Sequence, residues 1–165
     1  MKLYLGLVLV LSLPAQAGLF DDIKTAVTGH IEDYQSRSLP DQVLESGTVL
    51  RSNQFRTEDP GQDRLHYGRG TVELIEDNGV TYLQLQTDVE FGLAPDLHLY
   101  VSPAKNIDTE ARFESTEQIE IGRLVKGEGA SYYALDQLSP AQLDAIGSVT
   151  VWCKQFSEFM ASTDL

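Results

Sequence analysis

The residues able to do chemistry in this sequence are few and widely spaced. One cysteine, Cys153, stands in the segment Ser148-Val149-Thr150-Val151-Trp152-Cys153-Lys154. A thiolate is a nucleophile, a redox group and a soft ligand. A nearby cation or metal lowers the thiol pKa, whereas apolar surroundings raise it and leave the group inert. Without a second cysteine, an intramolecular disulfide and every CxxC-type site are excluded. The three histidines, His30, His66 and His98, are scattered. A Cys–His zinc centre would lack ligands, since zinc normally takes four, so no metal site is expected. There is no GxSxG elbow, HExxH pair, P-loop, GxGxxG turn or EF-hand loop. The acidic doublets Asp21-Asp22, Glu58-Asp59 and Glu76-Asp77 read as solvated surface rather than as paired catalytic carboxylates. What remains is Cys153.

Side-chain alternation orients the candidates. A strand over 148–153 puts Val149, Val151 and Cys153 on one face and Ser148, Thr150 and Trp152 on the other. Two valines mark the first face as the core, so Cys153 is expected at the inner end of a strand. Lys154 then points the opposite way and need not activate the thiol. His98, between Leu97 and Leu99, faces away from the core those leucines enter. His66 shares parity with Val72 and Leu74 through Gly68 and Gly70, unless the glycines mark a bulge that resets the count. Among the histidines, His66 is the better candidate to approach Cys153 and share a bound group.

The elements that must position these residues follow from periodicity. From Leu19 to Tyr34 the apolar residues fall at helical spacing, with Asp21 and Asp22 near the N-terminus and a weakening Gly29. This amphipathic helix either packs on the domain or forms a mobile arm, and Ser38-Leu39-Pro40-Asp41 reads as a linker. After Gly47 the period becomes two. Asn78-Gly79 between alternating runs predicts a hairpin with a type I′ turn. Further strands are expected around Leu97–Val101, Ile119–Ile121, Tyr132–Leu135 and Ser148–Cys153, followed by a short apolar tail with Phe156, Phe159 and Met160. Ser139-Pro140-Ala141-Gln142 is a capping box with Pro at N1, and Gly147 can close its helix in the left-handed conformation. The fold class is all-β: an antiparallel sandwich or barrel of about seven or eight short strands. An N-terminal amphipathic helix precedes it, and one short helix precedes the last strand.

Composition sets the surroundings. The chain has 165 residues, one-domain size, with 42% hydrophobic residues. Its 25 acidic residues against 12 basic give a net charge of −13. Nucleic acid is therefore a poor partner, and adhesion to anionic lipid is disfavoured. Lys2, the apolar run Leu3–Leu13 and the A-x-A site Ala15-Gln16-Ala17 have the layout of a secretory signal peptide. Residues 1–17 are expected to be removed between Ala17 and Gly18. The mature chain would be secreted or periplasmic with no transmembrane segment, 18–46 serving as helical arm and linker and 47–165 as the β domain. Export makes an odd cysteine notable, because exported proteins usually pair theirs.

Several stretches carry a family resemblance. They are His66-Tyr67-Gly68-Arg69-Gly70-Thr71-Val72, Ala94-Pro95-Asp96-Leu97-His98-Leu99-Tyr100-Val101-Ser102 and Ile121-Gly122-Arg123-Leu124-Val125-Lys126-Gly127. The most specific is Ser148-Val149-Thr150-Val151-Trp152-Cys153-Lys154-Gln155-Phe156, with Phe159 behind it. Together they resemble the DM-thirteen family, the electron-transfer DM domain. The resemblance implies an exported redox module whose cysteine acts as a bare thiol or as ligand to a prosthetic group such as haem, a role that carries over to Cys153. It implies a redox partner, such as a cytochrome-type protein, and an accessory rather than a stand-alone enzymatic role. The competing reading is a non-enzymatic binding or adhesion β-sandwich in which Cys153 is core packing.

Overall fold

The computed structural model describes residues 16–165. The expected leader lies outside the described residues, except that Gln16 and Ala17 open helix α1 (Gln16–Ser36). Six strands follow: β1 (Thr48–Gln54), β2 (Gly68–Arg69), β3 (Thr71–Asp77), β4 (Val80–Leu85), β5 (Glu90–Phe91) and β6 (Leu97–Ser102). Helix α2 (Glu110–Glu114), strands β7 (Ile119–Arg123) and β8 (Ser131–Ala134), and helix α3 (Pro140–Ala145) lead to the last pair. That pair is β9 (Ser148–Cys153) and β10 (Glu158–Asp164).

The strands form two four-stranded antiparallel sheets, ordered β1-β3-β4-β8 and β10-β9-β6-β7, with β2 and β5 as a small separate ribbon. The architecture is a sandwich rather than a closed barrel. Asn78 and Gly79 both take positive φ, 51° and 79°, and pair Asp77 with Val80, as a type I′ hairpin requires. Val72 and Leu74 of β3, Leu83 and Leu85 of β4, and Leu97, Leu99 and Val101 of β6 turn their alternating faces into one core. Val149, Val151 and Cys153 of β9 join them. Each such Leu or Val contributes about 1.5–3 kcal/mol by leaving water.

Four local expectations change. The apolar tail after Cys153 is a full strand, β10, paired along β9 and buried over most of its length. A further helix, α2, is capped by Thr109, whose hydroxyl accepts from the Arg112 N–H. Helix α3 has the expected capping box at Ser139, but Ile146 forms its C-cap and Gly147 is not left-handed. Asp59 is not solvated: it is 8% exposed and accepts from Arg56 Nε at 2.7 Å.

The segment after α1 is tied down by polar contacts. Lys126 Nζ, buried, donates to Leu39 O at 2.8 Å and to Asp41 Oδ1 at 2.7 Å, and the Gln42 N–H donates to Ala130 O at 3.0 Å. Arg37 donates to the carbonyls of Phe91 and Gly92. Gly29 lets α1 cross Pro95 closely, since a Cβ there would sit 2.4 Å from Pro95 Cβ. The residue that weakens the helix by propensity is thus the one that lets it dock.

Candidate functional site

Cys153 is the last residue of β9, between Leu97 of β6 and Glu158 of β10. Strand parity turns its side chain into the main core, and the residue is only 1% exposed. Lys154–Ser157 then turn the chain back into β10, with Ser157 at φ 56°. The Lys154 N–H donates to Asp96 O at 2.9 Å, which locks this turn to the loop before β6.

Burial pushes the Cys153 thiol up from its ordinary pKa. The backbone N–H groups of Phe156, Asp96 and Gln155 pull the other way and do not overcome it, while the Asp96 carboxylate adds to the rise. The Lys154 ammonium is engaged elsewhere, on Glu120 Oε2 at 2.9 Å. The site therefore holds a neutral, shielded thiol at neutral pH, a weak nucleophile and not a free ligand.

A raised acid pKa means that the folded state holds its proton more tightly than the unfolded chain. Its stabilising contribution is complete below the ordinary thiol range and is lost as pH rises through the folded value. The urea midpoint is therefore expected to fall as pH rises from about 8.5 towards the tyrosine range at about 10, and Cys153→Ala to remove the fall in that window. At about pH 8, iodoacetamide should alkylate the native thiol at least about tenfold more slowly than the urea-unfolded one. Equal rates would show that the sulfur is not shielded.

The outer face of the same sheet carries a polar cluster. His98 Nδ1 lies 2.6 Å from Glu120 Oε1, and Nε2 lies 3.0 Å from Asp96 Oδ1. Both ring nitrogens thus face carboxylate oxygens. Glu120 is held below the usual carboxylate range by the Lys154 ammonium and by His98. The Tyr100 hydroxyl donates to Glu120 Oε2 at 3.3 Å, and burial together with that carboxylate pushes it up to about 12. Arg123 Nε lies 3.3 Å from Asp96 Oδ1. Asp96 thus links this cluster to the sulfur, through its side chain on one face and its backbone on the other. Alternation signals that His98 and Tyr100 share a face, but Glu120 joins them only through the β6–β7 register, which pairs it with Tyr100.

Residues 61–165 match the family model described as Electron transfer DM13. The chain belongs to this family. No curated protein and no solved structure matches it. The matched part of the DM13 domain contains Cys153, the 154–157 turn and the His98 cluster, and leaves α1 and β1 outside. Its function is related to electron transfer and calls for a redox partner. Among the described residues, no helix is long and apolar enough to cross a membrane.

The other histidines of the DM13 chain lie on a loop and on helix α1. His66 sits in the loop before β2, where Nδ1 lies 3.1 Å from Asp63 Oδ2. That Asp63 carboxyl is held down to about 2 by the backbone N–H groups of His66 and Leu65. The turn at Gly70, φ 99°, separates β2 from β3, so alternation does not run through from His66 to Val72. His30 lies exposed on α1, lining a groove of about 650 Å³ with Leu93 and Phe156. A second cavity, of about 830 Å³, lies between α1 and the Pro95–Asp96 loop. Cys153 lines neither cavity. A haem held by this thiolate needs an open coordination face at the sulfur, and this closed arrangement does not fit one.

Proposed function

We propose that this DM13 protein is an exported electron-transfer domain in which Cys153 is the redox group, acting as a bare thiol. The observation that carries the reading is the electron-transfer family match over residues 61–165, which contains the chain's one cysteine. Export is supported by Lys2, the apolar run Leu3–Leu13 and Ala15-Gln16-Ala17. In an oxidising compartment an accessible lone thiol is lost to intermolecular disulfides, and burial protects it. A neutral thiol gives up its electron together with its proton. One electron passes to a high-potential metal centre on the partner, which is reduced by one. The proton goes to water at the 154–157 turn, and a thiyl radical remains until the electron and proton return.

The test is one-electron photo-oxidation of the mature protein by a ruthenium tris-bipyridine and persulfate system, with spin trapping. A sulfur-centred adduct is expected in the wild type and none in Cys153→Ala. Tyrosyl or tryptophanyl signals alone, or the same spectrum from both proteins, would sink the reading. In a parallel haem titration, a Soret shift that depends on Cys153 would replace the thiol by a haem ligand. The core position of the sulfur also fits a binding sandwich in which Cys153 only packs. That reading expects Cys153→Ala to change stability and nothing else.

A further inference from the structure

Three residues direct backbone N–H groups at the Cys153 sulfur: Asp96, Gln155 and Phe156. The same three face helix α1. Asp96 and Gln155 line the cavity of about 830 Å³ opposite Thr25, Thr28 and Glu32. Phe156 lines the groove of about 650 Å³ opposite Val27 and Ile31. Helix α1 therefore lies across the loop before β6 and the 154–157 turn, which the Lys154 N–H ties together through Asp96 O. Gly29 is the seat. It is buried, and a Cβ there would meet Pro95 Cβ at 2.4 Å and Pro95 O at 2.8 Å. The helix backbone rests directly on the loop.

The hold on this seat is weak. Among the described residues of α1 none enters the core, and Ile23, Val27, Ile31 and Tyr34 are all at least 50% exposed. The link along the helix is ionic: Glu32 Oε2 lies 3.3 Å from Arg123 Nη2, with both side chains about half exposed. A pair so open to water contributes little and is screened by salt. The segment behind the helix is held firmly instead. Arg37 reaches the Phe91 and Gly92 carbonyls, Lys126 holds Leu39 O and Asp41, and the Gln42 N–H donates to Ala130 O. An element with few buried apolar contacts and one fixed end opens locally, well before the sheets do.

We propose that α1 is a lid over the Cys153 thiol. Closed, it presses the Pro95–Asp96 loop and the 154–157 turn over the sulfur. When it lifts about its anchored end at 37–42, the turn is free to open and the thiol meets solutes. The purpose of the lid rests on the redox reading of Cys153 given above: it gives a thiol that burial protects a route to its partner. Its mechanical action does not depend on that reading.

The experiment compares Gly29→Leu with the wild type under native conditions at about pH 8. Leucine favours the helix over glycine, so the substitution removes the seat and leaves the helix. Iodoacetamide should alkylate Cys153 at least about fivefold faster in the variant. Hydrogen exchange should quicken at the Asp96, Gln155 and Phe156 amides, while the β9 amides stay as protected as in the wild type. Glu32→Gln, a milder change on an exposed flank, should speed alkylation about twofold. Alkylation of Gly29→Leu at the wild-type rate overturns the lid. So does faster alkylation with equally faster exchange along β9, which marks global unfolding. Should Gly29→Leu fail to fold, Glu32→Gln carries the test, and a wild-type rate there overturns the proposal. A missing sulfur-centred adduct in the photo-oxidation would remove the redox role of Cys153 and leave these rates as they are, so the two readings fail separately.

Discussion

Trp152→Ala is expected to cost about 3–5 kcal/mol of stability while leaving the chemistry of the adjacent thiol unchanged in the folded state. Trp152 points away from Cys153, to the outer face of β9, and is only 5% exposed. It stacks on Phe113 of α2 with ring centroids 4.2 Å apart and planes at 11°. It pairs laterally with Phe159 of β10, and Tyr100 meets Phe113 edge-on at 5.1 Å. With Ile107 these rings form a second core that seals the outer side of the sheet. Removing the indole leaves a cavity between rings held by three different elements, which cannot easily collapse. Urea unfolding of Trp152→Ala, Phe113→Ala and the double variant should show a coupling of about 0.5–1.5 kcal/mol for the stacked pair. A loss below about 1 kcal/mol would mean that the rings do not form a packed core. The expected outcome separates Trp152, which holds the sheet, from Cys153, the proposed redox group.

Gly92→Ala should be nearly as damaging, for the opposite reason. A Cβ at position 92 would lie 1.9 Å from Leu65 O and 3.2 Å from Tyr67 Cδ1. The first neighbour is backbone and cannot swing aside. The Gly92 N–H donates to Tyr67 O at 2.9 Å, and its carbonyl accepts from Arg37 at 3.2 Å. A methyl group there must separate the two loops and loosen the anchor of α1 together. A cost of about 3 kcal/mol is expected, the upper end for overpacking, or about 6–12 °C in melting temperature for a chain of this length. Hydrogen exchange should quicken in the 62–67 loop and at the end of α1. Wild-type stability would show that these backbones do not approach as closely as they do here.

Much of the frame around Cys153 was legible in the sequence because the rules that set it are local. Asn78-Gly79 can make its turn from its own φ preferences. Ser139 to Gln142 can close a capping box within one helical turn. Period two in Leu97–Val101 and Val149–Cys153 places alternate residues on one face wherever the strand sits. The same rules misjudged segments that take their structure from distant partners. Phe159 and Met160 read as a tail because β10 carries no alternation clear enough to name it, and a bulge between Phe159 and Ala161 shifts its register. Asp59 read as surface because nothing in its neighbourhood announces that it will be buried beside Arg56.

The lone cysteine, its inward parity, the acidic balance and the family segment were determined by the sequence alone, since composition and alternation do not depend on what the chain folds against. Only the tertiary structure decided that both faces of β9 are covered, so that Trp152 and Thr150 are as enclosed as Val151. It also decided that His98 lies between Asp96 and Glu120, and that α1 turns its apolar stripe outward beside Leu93 and Phe156. Each of these is a matter of which surfaces meet. Residues far apart in the chain settle it together, through Gly29 on Pro95, Arg37 on the Phe91 and Gly92 carbonyls, and Phe113 on Trp152.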